Sequence, residues 1–509
     1  MVKLSVSHVH QRKPQHGRTV VKKPNIIYIL ADDMGYGDFA CFNYGASKTP
    51  NLDALLKESV CLTQHYSASA LCAPARAALM TGRYPHRTGV IDTIAAGEMD
   101  CLAERETTIA DLFKSAGYAT GLVGKWHCGR LKPKYHPNAR GFDEFAGFQR
   151  GNIDYYDWCL DYNGVTRKAD GRYSTDVFTE EAISFIKRHS AEPFFLHLAY
   201  NAPHGPLQAP EEEVAPFLED GRFNKGVSHI YGMIRRMDTG IGRVLETLDQ
   251  EGLRENTIVV FTSDNGPQFS GKDEWRIERF NCGFRGSKGS VHEGGIRVPL
   301  LIRWPAGLDG NRHYHDLVHF TDWLPTLAAA AAVKIPAGLA IDGQDVLPAL
   351  RGKGGTVLNP KRFWQWSRGV PTLTHNAAMR DGFWKMVVPG DASANSFEGW
   401  REDLKAAGDV GMNPDAYPDG VPDAIGYPVF LNEPAQAPML FNLAFDPLEK
   451  QDLSAQHPER VSRMMRELEN WFEDVEKDRR SIPDRQYRNA DEMRAPRRKL
   501  DEPGAVGCD

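Results

Sequence analysis

The sequence predicts an α/β protein, with a mostly parallel sheet flanked by helices and a smaller C-terminal α+β unit. Three observations predict it. Short apolar runs of strand length recur along the first 350 residues. Amphipathic helices alternate with them. Near residue 350 the texture changes to Gly, Pro, Asn and Asp with only short strand-like pieces. In chain order, residues 1–24 are basic and His-rich and read as a flexible arm. PNIIYILADD reads as a buried strand ending in two acids. LCAPARAALMTGR reads as a helix, because Pro74 suits a first turn, Ala77, Ala78 and Leu79 favour helix, and Gly82 stops it. TTIADLFKSAG, with a Thr cap and a Gly stop, leads into the strand YATGLVGK. FTEEAISFIKRH leads into PFFLHLAY, and GMIRRMDTGIGRVLETLDQEG into NTIVVFTS. Helices alternating with apolar strands point to parallel strands covered on both faces. The expected division is a large unit over 25–355, a smaller one over 356–480 and an extended tail over 481–509. The small unit carries the strand GFWKMVV and the helix PERVSRMMRELENWFEDVEKD.

Composition narrows the function. The net charge of −6 offers no general attraction to nucleic acid, so a positive site has to be local. Eight cysteines in 509 residues, with no CxxC pair, exclude a disulfide scaffold and a thiolate zinc site. The most apolar stretch, WLPTLAAAAAV, is too short to span a bilayer, so no membrane partner is expected. The first 24 residues hold no apolar core of a signal peptide. As it stands the chain reads as cytoplasmic, with a periplasmic or secreted location if an export signal has been removed.

Ligands of open parallel sheets bind beyond the carboxyl ends of the strands. Asp32 and Asp33 follow the first strand. Lys125 and His127 follow GLVG, two apart and so on one face of an extended chain. His204 ends the NAPH that follows PFFLHLAY, and Asp264 and Asn265 follow TIVVFTS. Asp32, Asp33, Asp264 and Asn265 form an all-oxygen set suited to Ca2+ or Mg2+ rather than zinc. Arg76, Lys125 and Lys288 are candidates to balance an anionic substrate. Cys72 sits at a predicted helix N-terminus with Arg76 one turn along the same face, where dipole and guanidinium both favour negative charge.

Cys72-Ala-Pro74-Ala-Arg76, continuing to Thr81-Gly82-Arg83, resembles the signature of the type I sulfatases. Further blocks resemble the same family in the same order: ADDMGYGD, TPNLDALLKES, GKWHCG, ARGFDEFAGF, NAPHGPLQAP, TSDNG, FRGSKGSVHEGGIRVPLLIRWP, IDGQDVLPAL, MRDGFWKMV and LFNLAFDPLEKQDLS. The resemblance implies an alkaline-phosphatase-like fold, a mixed, mostly parallel sheet flanked by helices, with a small C-terminal unit. It implies oxidation of Cys72 to Cα-formylglycine by a maturation enzyme. It assigns Asp32, Asp33, Asp264 and Asn265 as metal ligands, usually of calcium, with modified Cys72 touching the metal. It places Arg76, Lys125, His127, His204 and Lys288 around the sulfate. In that chemistry one hydroxyl of the aldehyde hydrate attacks sulfur, and the second then loses a proton to expel sulfate. His127 is the candidate base for this expulsion, and His204 and Lys288 are candidates to serve the leaving oxygen. Cys128, Ser287 and His292 depart from the family pattern and read as packing variants.

GNIDYYDWCLDYNG and NAPHGPLQAP resemble sulfatases of sulfated amino sugars, of the N-acetylgalactosamine sulfatase type. The expected substrate is a sulfated carbohydrate. Tyr155, Tyr156 and Trp158 are candidates to stack on a sugar, Asp154 and Gln208 to read hydroxyls, and Trp275 and Arg276 to do either. Two readings compete: a phosphate or phosphonate ester hydrolase on the same fold, and a non-catalytic protein that binds sulfated sugars.

Overall fold

The computed structural model describes residues 23–93, 98–130, 132–352, 358–368, 371–390 and 436–483. Most of the predicted arm and tail, and much of the segment over 356–480, lie outside these residues.

The strands of the main sheet, in chain order, are β1 (Asn25–Ala31), β2 (Val60–Leu62), β4 (Ala119–Lys125), β5 (Glu144–Phe148), β6 (Cys159–Tyr162), β7 (Val165–Lys168), β8 (Phe194–Ala199), β9 (Thr257–Ser263), β10 (Leu300–Arg303) and β11 (Arg312–Tyr314). Between them falls β3 (His65–Tyr66), which pairs with β12 (Val318–His319) outside that sheet. The ten strands lie in the order β11-β2-β10-β9-β1-β8-β4-β5-β6-β7. From β9 through β1, β8 and β4 to β5 every pairing is parallel. β10 is antiparallel to β9 and β2, and the β5–β6–β7 edge is antiparallel. The sheet is therefore mostly parallel, as the alternating pattern predicts, and mixed, as the family resemblance implies.

The period of two along β1 builds two cores. Ile26, Tyr28 and Leu30 join the core that holds the helix Cys72–Thr81 and Trp323. Ile27, Ile29 and Ala31 join the opposite core, with the helices Ser174–Arg188 and Lys225–Gln250. The long helix buries Met233, Met237, Ile241, Val244 and Leu248 there. Each contributes roughly 1.5–3 kcal/mol of apolar burial. The helix Ser174–Arg188 begins four residues before the predicted FTEE. The Ser174 N–H is held by the Tyr155 carbonyl at 2.8 Å, and Ser174 and Thr175 are buried, so the helix starts there.

Beyond residue 360 come four antiparallel strands: β13 (Lys361–Gln365), β14 (Ala377–Asp381), β15 (Trp384–Val388) and β16 (Met439–Asn442). Alternation again sorts their faces. Ala377, Met379, Met386 and Leu440 pack on Met464, Leu468 and Trp471 of the helix Pro458–Arg480. Trp364, Ala378, Val387 and Phe441 pack on Tyr66, Ala70, Val291 and Ile296 of the main body. Between the two parts Lys385 is fully buried, 2.8 Å from Glu293 and 3.0 Å from Glu449. Such an ion triad is costly to bury and more costly to break from one side. It ties the small sheet to the loop that carries Lys288. Among the described residues, no helix is long and apolar enough to cross a membrane.

Candidate active site

The site gathers at the carboxyl ends of β1, β4, β8 and β9. β1 and β9 run side by side in parallel, so their ends deliver Asp32 and Asp33 beside Asp264 and Asn265. Backbone bonds lock the junction: Asp264 N–H to Ala31 O at 3.1 Å, Asp32 N–H to Ala202 O at 3.1 Å, and Met34 N–H to Ser263 Oγ at 2.9 Å. Asp33 takes a left-handed conformation, φ 69°, which an aspartate tolerates better than most residues. Asp32, Asp264 and Asn265 have no exposed surface.

The cations lie directly on these acids. Lys125 Nζ is 2.6 Å from Asp32 Oδ2, and Lys288 Nζ is 2.8 Å from Asp33. Arg76 donates to Asp264 Oδ2 from Nε at 2.9 Å and to the Lys125 carbonyl from Nη1 at 3.1 Å. Cys72 is the first residue of its helix, buried, with Arg76 one turn on. Burial pushes its thiol pKa up, against the pull of Lys125 and Lys288, so the unmodified side chain is a protonated thiol and a poor nucleophile.

Lys125 and His127 do not share one face of an extended chain. Lys125 is the last residue of β4, and His127 turns left-handed at φ 51°. That turn, rather than strand alternation, brings its ring beside Lys125 and Arg76. Gly151 makes room for the ring, since a Cβ there would lie 3.0 Å from His127 Cε1. Burial, with Lys125 and Arg76, holds His127 well below its ordinary pKa, so it is neutral. Burial and Lys288 lower His204 to about 4. Its Nδ1 lies 2.8 Å from the Gly205 carbonyl, an acceptor only, so Nδ1 carries the proton. Nε2 is then the free atom, 3.7 Å from Asp33 Oδ2.

The donor set fits a hard dication. Asp32 Oδ1 and Asn265 Oδ1 are buried oxygens without a hydrogen-bond partner. Ligand atoms of Asp32, Asp33 and His204 lie within 4.8 Å of one another. Burial, and after it the neighbouring Asp32, push the Asp264 carboxyl up to about 6 against the pull of Arg76 and Lys125. Burial also opposes ionisation of Asp33, but Lys288 and His204 outweigh it and hold that carboxyl low. Carboxylate and amide oxygens suit Ca2+ or Mg2+.

The family profile described as Sulfatase matches residues 24–333, and that described as N-sulphoglucosamine sulphohydrolase, C-terminal, matches residues 286–388. The chain belongs to the sulfatase family. Human N-acetylgalactosamine-6-sulfatase is 32% identical over 476 residues, covering 87% of this chain and 84% of that one. The crystal structure of Ps i-CgsB in complex with k-i-k-neocarrahexaose superposes with a TM-score of 0.74 at 30% identity, over 93% of this chain and 97% of that one. A phosphonate monoester hydrolase from Silicibacter pomeroyi shares the fold, with a TM-score of 0.60 at 19% identity over 88% of this chain and 94% of that one. This sulfatase is thus a sulfuric ester hydrolase by family, while its fold also serves another ester.

Several residues of this sulfatase that the sequence offers for sugar contact have other partners. Tyr155 is wholly buried, its hydroxyl donating to the Asn201 and His204 carbonyls, so it holds the His204 loop and offers no face to a sugar. Trp158 is buried, with its indole N–H on the Arg172 carbonyl. Both stacking expectations are corrected: these rings are core. Gln208 Nε2 donates to Asp154 Oδ2, and Asp154 Oδ1 accepts the N–H groups of Tyr156 and Asp157, so this pair shapes a turn. Tyr156 stays partly exposed beside Tyr173. Arg276 pairs with Glu278. Trp275 is 42% exposed. Cys128 and His292 are packed, His292 against Glu449.

One residue that holds the site's Lys288 loop is invisible in the sequence. Asn376, on the loop before β14, accepts the Val291 N–H at 2.9 Å and donates to the Gly289 and Trp366 carbonyls at 2.8 Å each. The clamped loop carries Lys288. It is also tied to Ala70 and Pro267, on the segments that lead into Cys72 and out of Asn265. Asn376→Ala is expected to free this loop and cut kcat about tenfold, equivalent to about 1.4 kcal/mol, with a smaller change in KM. Steady-state kinetics check this. An unchanged kcat with only a lower melting temperature would make Asn376 purely structural.

Proposed function

We propose that this chain is a carbohydrate sulfatase, hydrolysing sulfate monoesters of sugars through an aldehyde formed from Cys72 and a divalent cation, Ca2+ with Mg2+ as the alternative. The observation that carries the reading is the convergence of four oxygen donors, three fixed cations and Cys72 in one buried cluster. Sugar is the substrate class because a relative that is 32% identical is named for an amino-sugar sulfate and a solved relative holds a carrahexaose.

When present, a dication on Asp32, Asp33, Asp264 and Asn265 and an aldehyde hydrate at position 72 supply polarisation of sulfate and an oxygen nucleophile. The rest falls to the chain's side chains. Arg76 fixes Asp264 and the end of β4, and its remaining N–H groups, with Lys125 and Lys288, offset the charge of the sulfate oxygens. His127, neutral in its crowd of cations, accepts the proton whose loss expels sulfate. Burial works against the charge on Lys288, but Asp33 and its anionic neighbours outweigh it, so the amine stays protonated and donates toward the leaving oxygen. His204 presents Nε2 to the same place. An anionic ester beside it offsets Lys288 and favours its protonated, donating form.

A sulfate and a phosphate ester with the same leaving group separate this reading from its nearest rival. The sulfate ester is expected to turn over faster. Faster phosphate or phosphonate hydrolysis would overturn the assignment. A panel of sulfated mono- and oligosaccharides with an aryl sulfate as reference then tests the sugar.

A further inference from the structure

Beside Asp33 and His204 opens a cavity of about 370 Å3, within the range of small-ligand pockets. One wall is the loop leaving the metal-ligand segment, which closes on itself through the Ile277 N–H to Ser270 O bond at 2.9 Å. The other is formed by Pro203, Pro206 and Leu207 after β8, with Ile230 of the long helix at the base.

Trp275 projects into this cavity as a prepared surface. The ring of His229 lies 5.0 Å from it, centroid to centroid, and Lys225 Nζ is 5.9 Å away. The backbone behind it is fixed. Asn224 Nδ2 holds the Arg276 carbonyl at 2.9 Å, and a Cβ at Gly226 would meet the Trp275 carbonyl carbon at 2.8 Å. Trp275 nevertheless keeps 42% of its surface open. Gln268 and Ser270 also line the cavity. Of the other stacking candidates, Tyr155 and Trp158 are buried, and Tyr156, partly exposed, lies against Tyr173 and does not line the cavity.

An apolar surface beside a few polar side chains is the complement of a pyranose ring, which has a C–H face and a rim of hydroxyls. An all-apolar leaving group would gain nothing from Gln268 and Ser270. Resting on the carbohydrate reading above, we infer that this cavity is the subsite for the sugar ring that bears the sulfate. The ring packs its C–H face on the indole of Trp275 and turns its hydroxyls to Gln268 and Ser270, with the scissile oxygen toward His204.

The test uses the full-length enzyme, shown first to hydrolyse an aryl sulfate, with Trp275→Ala and Trp275→Phe beside it. The substrates are N-acetylgalactosamine 6-sulfate and a series of sulfated mono- and oligosaccharides, including a carrageenan hexaose. On the best sugar, Trp275→Ala is expected to lose about tenfold in kcat/KM, carried mainly by KM, as for one lost stacking contact. Trp275→Phe, which keeps an aromatic face, should retain most of the activity. If the sugar is turned over and KM is unmoved by Trp275→Ala, or if Phe loses as much as Ala, the subsite is wrong and the carbohydrate reading stands. If no sugar is cleaved while the aryl sulfate is, the carbohydrate reading itself falls.

Discussion

Cys72→Ala is expected to abolish sulfate-ester hydrolysis, with a loss on the order of 10^6-fold in kcat, the scale for removal of a catalytic nucleophile. The fold should survive. Cys72 opens a helix in which all ten residues are buried, and the substitution deletes one sulfur from it. The cost to stability should stay at about 1 kcal/mol, seen as a small shift in melting temperature. The neighbouring charges remain paired, since Lys125, Arg76 and Lys288 bind Asp32, Asp264 and Asp33 without help from the thiol. Appreciable turnover in the variant would mean that another group attacks the ester. An unfolded variant would mean that Cys72 matters chiefly for packing.

Removal of divalent cations is the second large effect. Three carboxylates and an amide meet in a buried cluster that only Asp33 edges toward the cavity, and two of their oxygens lack any hydrogen-bond partner. Three fixed cations ease the repulsion, yet burial and Asp32 still push the Asp264 carboxyl up to about 6. A bound dication relieves that crowding and stabilises the folded chain, by about 2.7 kcal/mol when free metal is at a hundred times its Kd. Stripping the protein with a chelator should therefore lower the melting temperature by several degrees and reduce turnover to background. Calcium added back should restore both, and more fully than magnesium, since ligands drawn from two strand ends suit the looser geometry of Ca2+. Full activity in protein verified to be metal-free would contradict the assignment of Asp32, Asp33, Asp264 and Asn265.

What the sequence made legible was whatever depends on local pattern. The apolar runs at residues 26–31 and 257–263 are strands because few other structures bury such short continuous runs. Once they are strands, the acids after them must meet at one edge. Cys72 and Arg76 are one turn apart by helix geometry alone. What stayed hidden depends on distant partners. The left-handed turn at His127 sits after the end of a strand and beside Gly151. Asn376 acts on backbone atoms 85 and 87 residues away, which leave no mark in its own neighbourhood. Tyr155, Trp158 and Trp275 look alike in sequence as aromatic residues in polar loops. Burial alone tells the two structural rings from the one that faces a cavity.

The central claim is that Cys72 meets sulfate as an aldehyde and not as a thiol. The most direct test is the mass of the tryptic peptide ESVCLTQHYSASALCAPAR from protein made in its own host, fragmented so that Cys61 and Cys72 are read separately. The account predicts an aldehyde at position 72 and an unmodified cysteine at position 61. A thiol at position 72 in protein that hydrolyses sulfate esters would contradict it.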